Sequence, residues 1–169
     1  MTLKTAPGFE KVVEENKDII YRICNSYTVL PLDAKDLFQE VLYQLWKSFP
    51  SFQGNSAVST WVYRITLNVC IRSQQKLKKN KALIQTFESI QFLAPPKAPE
   101  NEEELNKLNI LQACISNLNS GDHSIIVLYL EELSYKQIAE VTGLTENHIA
   151  VKMKRIKKKL LDCITPKLK

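Results

Sequence analysis

The residues of this chain best placed to do chemistry are charged and polar side chains at helical spacing, and they suit recognition rather than bond making. Asp36, Gln39 and Glu40 stand three and four residues apart, so on a helix they form one polar patch, with Asp33 a turn before it. Such a patch can meet a cationic partner. Equally, Asp33 sits where an N-cap would, and two acids in a first turn stabilise a helix against its own dipole with no partner at all. Spacing alone leaves both readings open. A second group, Phe52-Gln53-Gly54-Asn55-Ser56-Ala57-Val58-Ser59-Thr60-Trp61, is a small polar loop bounded by aromatics and followed by Arg64, Asn68, Arg72 and Lys76 on successive turns. Planar rings beside arginines suit unpaired bases, which stack on flat groups while phosphates lie along a basic flank. The blander reading makes Trp61 a core anchor and Gly54 a plain turn.

The third group is the basic stretch near the C-terminus. At about 100° per residue, Ile149, Met153, Ile156 and Leu160 gather within about 60° of one another and must face a core. Asn147, Val151, Lys154, Arg155 and Lys158 then lie opposite, with Lys152, Lys157 and Lys159 on the flanks. A solvated cationic face of this kind neutralises phosphates along a DNA groove. An ordinary soluble basic helix is the alternative. No Ser/His/Asp or Cys/His arrangement, glycine-rich phosphate loop or paired carboxylate site accompanies these groups. An enzyme is therefore not expected, nor is a cofactor.

The elements that must hold these groups read as helices. The chain has 169 residues, 44% hydrophobic and 24% charged, enough to bury a core, and its 4 glycines are too few for the turns of an all-β domain. Phe9, Val12, Val13, Ile20, Ile23, Cys24 and Tyr27 recur at spacings of three and four. A second helix follows Pro31, with a wide apolar stripe of Leu37, Phe38, Val41, Leu42, Leu45, Trp46 and Phe49 ended by Pro50; a third runs from about Thr60 through Lys76. Three prolines between Pro95 and Pro99 forbid regular structure locally, and the acids that follow, Glu100 and Glu102 to Glu104, suit either a solvated linker or a helix's first turn. The expected organisation is all-α: a helical domain over 1–79, a flexible linker over 80–104 and a second helical domain over 105–169.

In the second domain, Leu105, Leu108, Leu111, Ile115 and Leu118 mark one amphipathic helix, and Ile125, Ile126, Leu128, Tyr129 and Leu130 a short, mostly buried one. Ser134 and Gln137 have the spacing of a capping box, Gly143 ends the helix they start, and Thr145 caps the last helix, Glu146 to about Asp162. Helix, glycine turn, helix is the pattern of a DNA-binding helix-turn-helix.

Cys24, Cys70, Cys114 and Cys163 lie 44 or more residues apart, so no metal knuckle is proposed and four buried free thiols are expected. His123 and His148 have no ligand-spaced neighbours, and no metal site is read. The N-terminal residues lack an apolar signal segment and no run of 18 apolar residues occurs. A cytoplasmic protein without membrane insertion is expected, monomeric when free.

Taken in order, Asp33-x-x-Asp36-x-x-Gln39-Glu40-Val41, Phe52-x-Gly54-x-Ser56 leading into Thr60-Trp61-Val62-Tyr63-Arg64-Ile65-x-x-Asn68, and Ser134-Tyr135-x-x-Ile138-Ala139-x-x-x-Gly143 with its basic helix resemble extracytoplasmic-function (ECF) sigma factors of the sigma-70 family. The resemblance covers about residues 9–162. It implies a specificity subunit that directs core RNA polymerase to −10 and −35 promoter elements and aids promoter opening. On this likeness Asp33, Asp36, Gln39 and Glu40 would dock on the β′ clamp. Asn55, Ser56, Ser59, Thr60, Trp61, Arg64, Asn68 and Arg72 would engage the −10 element, the loop capturing an unstacked base. Thr145, Asn147, His148, Val151, Lys152, Lys154, Arg155 and Lys158 would meet the −35 element, with Lys158 and Lys159 on phosphates. Partners implied are core polymerase, promoter DNA and an anti-sigma factor covering both domains. The rival expectation is a stand-alone helix-turn-helix regulator whose N-terminal bundle binds a small molecule or dimerises.

Overall fold

The computed structural model describes residues 8–28, 31–81 and 101–169, and all regular structure among them is helical. Three helices build the N-terminal bundle: α1 (Phe9–Ser26), α2 (Pro31–Ser48) and α3 (Val58–Lys81), each packed on the other two. Val12, Ile20 and Ile23 of α1, Val41 and Leu45 of α2, and Val62 and Cys70 of α3 are its fully buried centre. Most of the linker expected over 80–104 lies outside the described residues; α3 runs to Lys81, beyond the Lys76 expected, and the next helix opens at Glu102.

Two features of α2 differ from expectation. The helix begins at Pro31, whose fixed backbone angle suits a first helical position, so Asp33 lies within the first turn and not at an N-cap. Trp46, expected inside, is 62% exposed. Leu37, Val41 and Leu45 define the buried line, and Trp46 lies roughly 140° round the helix from its middle at about 100° per residue. A stripe as wide as the sequence presents cannot all face two neighbouring helices. Pro50 ends α2 as expected, in a single 3₁₀ turn over Phe49–Ser51.

Four helices follow: α4 (Glu102–Ser116), α5 (Ser120–Leu130), α6 (Tyr135–Thr142) and α7 (Glu146–Ile164). Their starts are written in side chains. Asn101 accepts from the Glu104 amide at 2.8 Å, Asn119 from Asp122 at 2.9 Å and Thr145 from His148 at 3.2 Å, each satisfying a donor that the first turn leaves orphaned. Ser134 and Gln137 form the expected capping box: the Ser134 hydroxyl accepts from the Gln137 amide at 3.2 Å, and the Gln137 side-chain oxygen accepts from the Ser134 amide at 2.8 Å. Gly143, with φ of 76°, takes the left-handed conformation that closes α6. Ile149, Met153, Ile156 and Leu160 are all buried, as their angles require. Leu130, expected inside, is 54% exposed, because α5 ends on it and the chain turns away.

One cysteine expectation is overturned. Cys114 of α4 and Cys163 of α7 form a disulfide, their Cα atoms 6.0 Å apart. Periodicity assigns a residue to a face and is silent on which helix will pack beside it, so this pairing could not be read from spacing. Cys24 and Cys70 are free and buried, with their sulfurs 4.0 Å apart between α1 and α3.

The two bundles lie against each other, α3 on α6 and α1 on α5. The Arg22 guanidinium grips the Glu131 carboxylate with bonds of 2.8, 2.9 and 3.0 Å. Tyr27 stacks on His123 with ring centroids 4.2 Å apart, and its hydroxyl lies 2.9 Å from that of Ser124. Among the described residues, no helix is long and apolar enough to cross a membrane.

Candidate nucleic-acid interface

The acidic face of α2 is exposed at Asp33, Asp36, Gln39 and Glu40. Burying Ala34, Leu37, Val41 and Leu45 against the bundle turns these residues outward. Asp33, Asp36, Glu40 and Gln44 form one wall of a cleft of about 450 Å³ whose other wall is Arg72, Ser73 and Lys76 of α3. The Gln44 amide donates to Glu40 at 2.9 Å, while Gln39 lies outside the cleft. Arg72, grouped by sequence with the nucleic-acid loop, thus stands across from the acids.

The loop between α2 and α3 is shaped by its aromatics. Trp61 packs with Phe49 and Phe52 at centroid distances of 6.2 and 5.0 Å, and Gly54, at φ of 72°, makes a turn that a side chain would strain. Around the exposed edge of Trp61, a depression of about 210 Å³ is lined by Phe52, Gln53, Asn55, Ser56 and Arg64. It joins an aromatic plane, amide and hydroxyl groups and a guanidinium, the set that can stack on a base and bond its edge. Of the residues expected here, Thr60 is buried, Ser59 is half-buried, and neither lines the depression as Asn55 and Ser56 do.

Arg64 does not stand free. It donates through Nη2 to the Glu140 carbonyl at 2.6 Å and through Nε to the Val141 carbonyl at 3.3 Å. These carbonyls belong to the last turn of α6, the negative end of that helix. Asn68, one turn along α3, lines the space between α3 and the helix-turn-helix with Leu67, Val141, Leu144 and Lys152.

On α7 the cationic run divides. Asn147, His148, Lys154, Arg155 and Lys158 are exposed, as is Val151, and among the described residues none of the three cations makes an ion pair. Lys152 and Lys159 instead reach back to Asp122 of α5, at 3.5 and 2.6 Å. Burial alone would raise the Asp122 pKa, but Lys159, Lys152 and Asn119 together hold its carboxyl below the ordinary aspartate value. Lys157 lies 4.7 Å over the Tyr129 ring. Lys159, expected on phosphate, is therefore tied to the domain's own core. Thr145 uses its hydroxyl as the helix cap.

Sequence reasoning missed Asp122 and His123. Nothing in the sequence tells that α7 will lay two lysines on Asp122. His123 is buried with no well-formed hydrogen bond at either ring nitrogen, and burial, opposed in part by the nearby Ser26 backbone, lowers its pKa to about 4.

The chain matches the family model for Sigma-70 region 2 over residues 12–80 and that for Sigma-70, region 4 over residues 108–160. It is 29% identical to the ECF RNA polymerase sigma factor SigW of Bacillus subtilis over 157 residues, covering 88% of this chain and 84% of that protein. To the RNA polymerase sigma factor SigV of the same organism it is 27% identical over 144 residues, covering 85% and 82%. Among solved structures it is similar to the sigma factor RpoE in complex with the anti-sigma factor NepR from Bartonella quintana, with a TM-score of 0.66 at 18% identity, over 92% of this chain and 98% of that one. The two matched regions coincide with the two bundles, the first carrying the acidic helix and aromatic loop and the second the helix-turn-helix; the chain belongs to the sigma-70 family of RNA polymerase sigma factors, in its extracytoplasmic-function branch.

Proposed function

We propose that this sigma factor binds core polymerase through the α2 face, holds an unstacked −10 base at the loop before α3, and reads the −35 element with α7. The observation that carries the reading is the pairing of two opposite surfaces on one chain: exposed carboxylates at Asp33, Asp36 and Glu40, and exposed cations at Lys154, Arg155 and Lys158. The first suits a basic protein partner, the second a DNA groove. In the −10 pocket Trp61 supplies a stacking plane, while Asn55, Ser56 and Gln53 offer bonds to a base edge. In the −35 helix, Asn147, Lys154 and Arg155 meet base edges and Lys158 meets phosphate. The chain contributes binding and strand capture, and nucleotide addition belongs to the polymerase. Its place of work is the cytoplasm.

The grip of Arg64 on α6 adds a constraint. To serve the −10 strand, Arg64 must exchange two carbonyls for DNA, so the bundles part when promoter is bound. An anti-sigma factor of the kind seen with RpoE would act by holding them together. The test is transcription in vitro with core polymerase and this chain. Asp36→Arg with Glu40→Arg should abolish core binding and promoter-dependent transcripts while helix content stays unchanged; undiminished binding in a pull-down would reduce the acids to helix-start stabilisers.

A further inference from the structure

The Cys114–Cys163 bond joins the ends of the DNA-binding unit. Its 49-residue span encloses all of α5, α6 and most of α7, so the entire helix-turn-helix is one covalent ring closed by α4. The two sulfurs differ in setting. Cys114 is 2% exposed, whereas Cys163 is half-buried beside the exposed Leu161 and Asp162. Beyond α7 the chain makes one 3₁₀ turn, Thr165–Lys167, which returns the Lys167 ammonium to 3.9 Å from the Cys114 sulfur. A cation beside one sulfur of a buried pair marks that sulfur as the better leaving thiolate.

We propose that Cys114 and Cys163 are a reversible dithiol–disulfide site, in which oxidation clamps α4 to the C-terminal end of the recognition helix and reduction releases it. In a reducing compartment, where persistent disulfides are rare and those that form are mostly transient or sensing, such a bond reports an oxidising episode. That setting rests on the functional reading above; the site's chemistry does not.

Reduction by a dithiol proceeds by attack of its thiolate on the sulfur of Cys163, the less buried residue of the pair. The S–S bond breaks, and its electron pair leaves on Cys114 as a thiolate facing Lys167. The second thiol of the reductant then closes on the mixed disulfide, freeing Cys163 and leaving the reductant oxidised by two electrons. In the other direction a hydroperoxide oxidises Cys163 to the sulfenic acid, releasing the alcohol or water. The Cys114 thiolate displaces the sulfenic oxygen, which leaves as water after taking a proton.

The test uses the full chain. After hydrogen peroxide treatment, denaturation and alkylation with iodoacetamide, mass spectrometry should find two modified cysteines, Cys24 and Cys70, and one linked peptide pair holding Cys114 and Cys163. After dithiothreitol it should find four modified cysteines. Native-state hydrogen exchange in α4 and the last turns of α7 should rise on reduction, and region four should melt about 10 °C lower. Lys167→Gln should slow reduction about fivefold while Lys169→Gln leaves the rate unchanged. Four alkylated cysteines after peroxide, or a bridge to Cys24 or Cys70, would overturn the site; equal rates for the two lysine variants would overturn the role of Lys167. Cys114→Ser with Cys163→Ser, should it fold, must match the reduced protein in exchange; a match to the oxidised protein instead would mean the bond clamps nothing.

Discussion

At the scale of single residues, the basic stretch of α7 divides into cations that stand exposed, Lys154, Arg155 and Lys158, and cations held by the domain itself, Lys152 and Lys159 on Asp122 and Lys157 on Tyr129. Arg155, opposite the buried Ile149, Met153 and Ile156, should contact base edges, so Arg155→Ala is expected to cost about 1–3 kcal/mol on a matched −35 duplex and far less on a scrambled one. Lys158→Gln should weaken both duplexes alike and lower the salt slope by about one. Lys159→Gln should leave the slope nearly unmoved and destabilise the domain instead, because its ammonium is 2.6 Å from the buried Asp122 carboxylate. Affinities measured across a salt series, with melting curves for each variant, separate the three. A loss of slope for Lys159→Gln would put its ammonium on DNA after all.

His123 belongs to the same scale. Held neutral by burial, with a pKa of about 4 in the fold against 6.5 when exposed, it binds no proton over a range where the unfolded chain does. Stability should therefore fall as pH drops from about 6.5 to about 4, by up to about 3 kcal/mol, and this contribution should level off below that. The loss from Asp122, whose pKa is lowered, comes at still lower pH, below its ordinary value of 3.8. His123→Phe keeps a ring on Tyr27 and should flatten the upper window in denaturant titrations at several pH values. An unchanged slope would mean that another group carries it.

At the scale of elements, the helix-turn-helix depends on how its helices stop and start. Gly143 sits at φ of 76°, where a Cβ meets no neighbour but strains the backbone. Gly143→Ala should cost about 1–2 kcal/mol and tilt α7 relative to α6, lowering −35 affinity more than Ser134→Ala, which removes only one cap bond. Calorimetry and duplex binding on the two variants give the comparison; equal loss of affinity would show that the turn does not set the angle of the reading helix.

At the scale of the molecule, the two regions meet through Arg22 with Glu131, Tyr27 with His123 and Ser124, and Arg64 with the end of α6. The Arg22 side chain is about half exposed, so its pair is worth only about 1 kcal/mol after screening. Glu131→Ala should raise the population of separated bundles about fivefold, read as an increased distance between fluorophores on α2 and α7. Binding to −10 single strands should improve in parallel, because Arg64 and Asn68 face the second bundle. Improved strand binding without separation would break the link between packing and access.

What the sequence by itself determined is local. Capping side chains at Ser134, Gln137 and Thr145, the glycine at 143 and the buried line of Ile149, Met153, Ile156 and Leu160 each act within a few residues, so the helix-turn-helix and its outward face are legible from spacing. The motif order pointed to the family for the same reason: short spacings survive as written. Contacts between distant helices were not legible. The exposure of Trp46, the capture of Lys152 and Lys159 by Asp122, the neutral buried ring of His123, the hold of α6 on Arg64 and the Cys114–Cys163 bond all join or separate groups on different elements. A helical face is set by a 3.6-residue period, but which face meets which is settled only when the helices compete to bury their apolar surface at once.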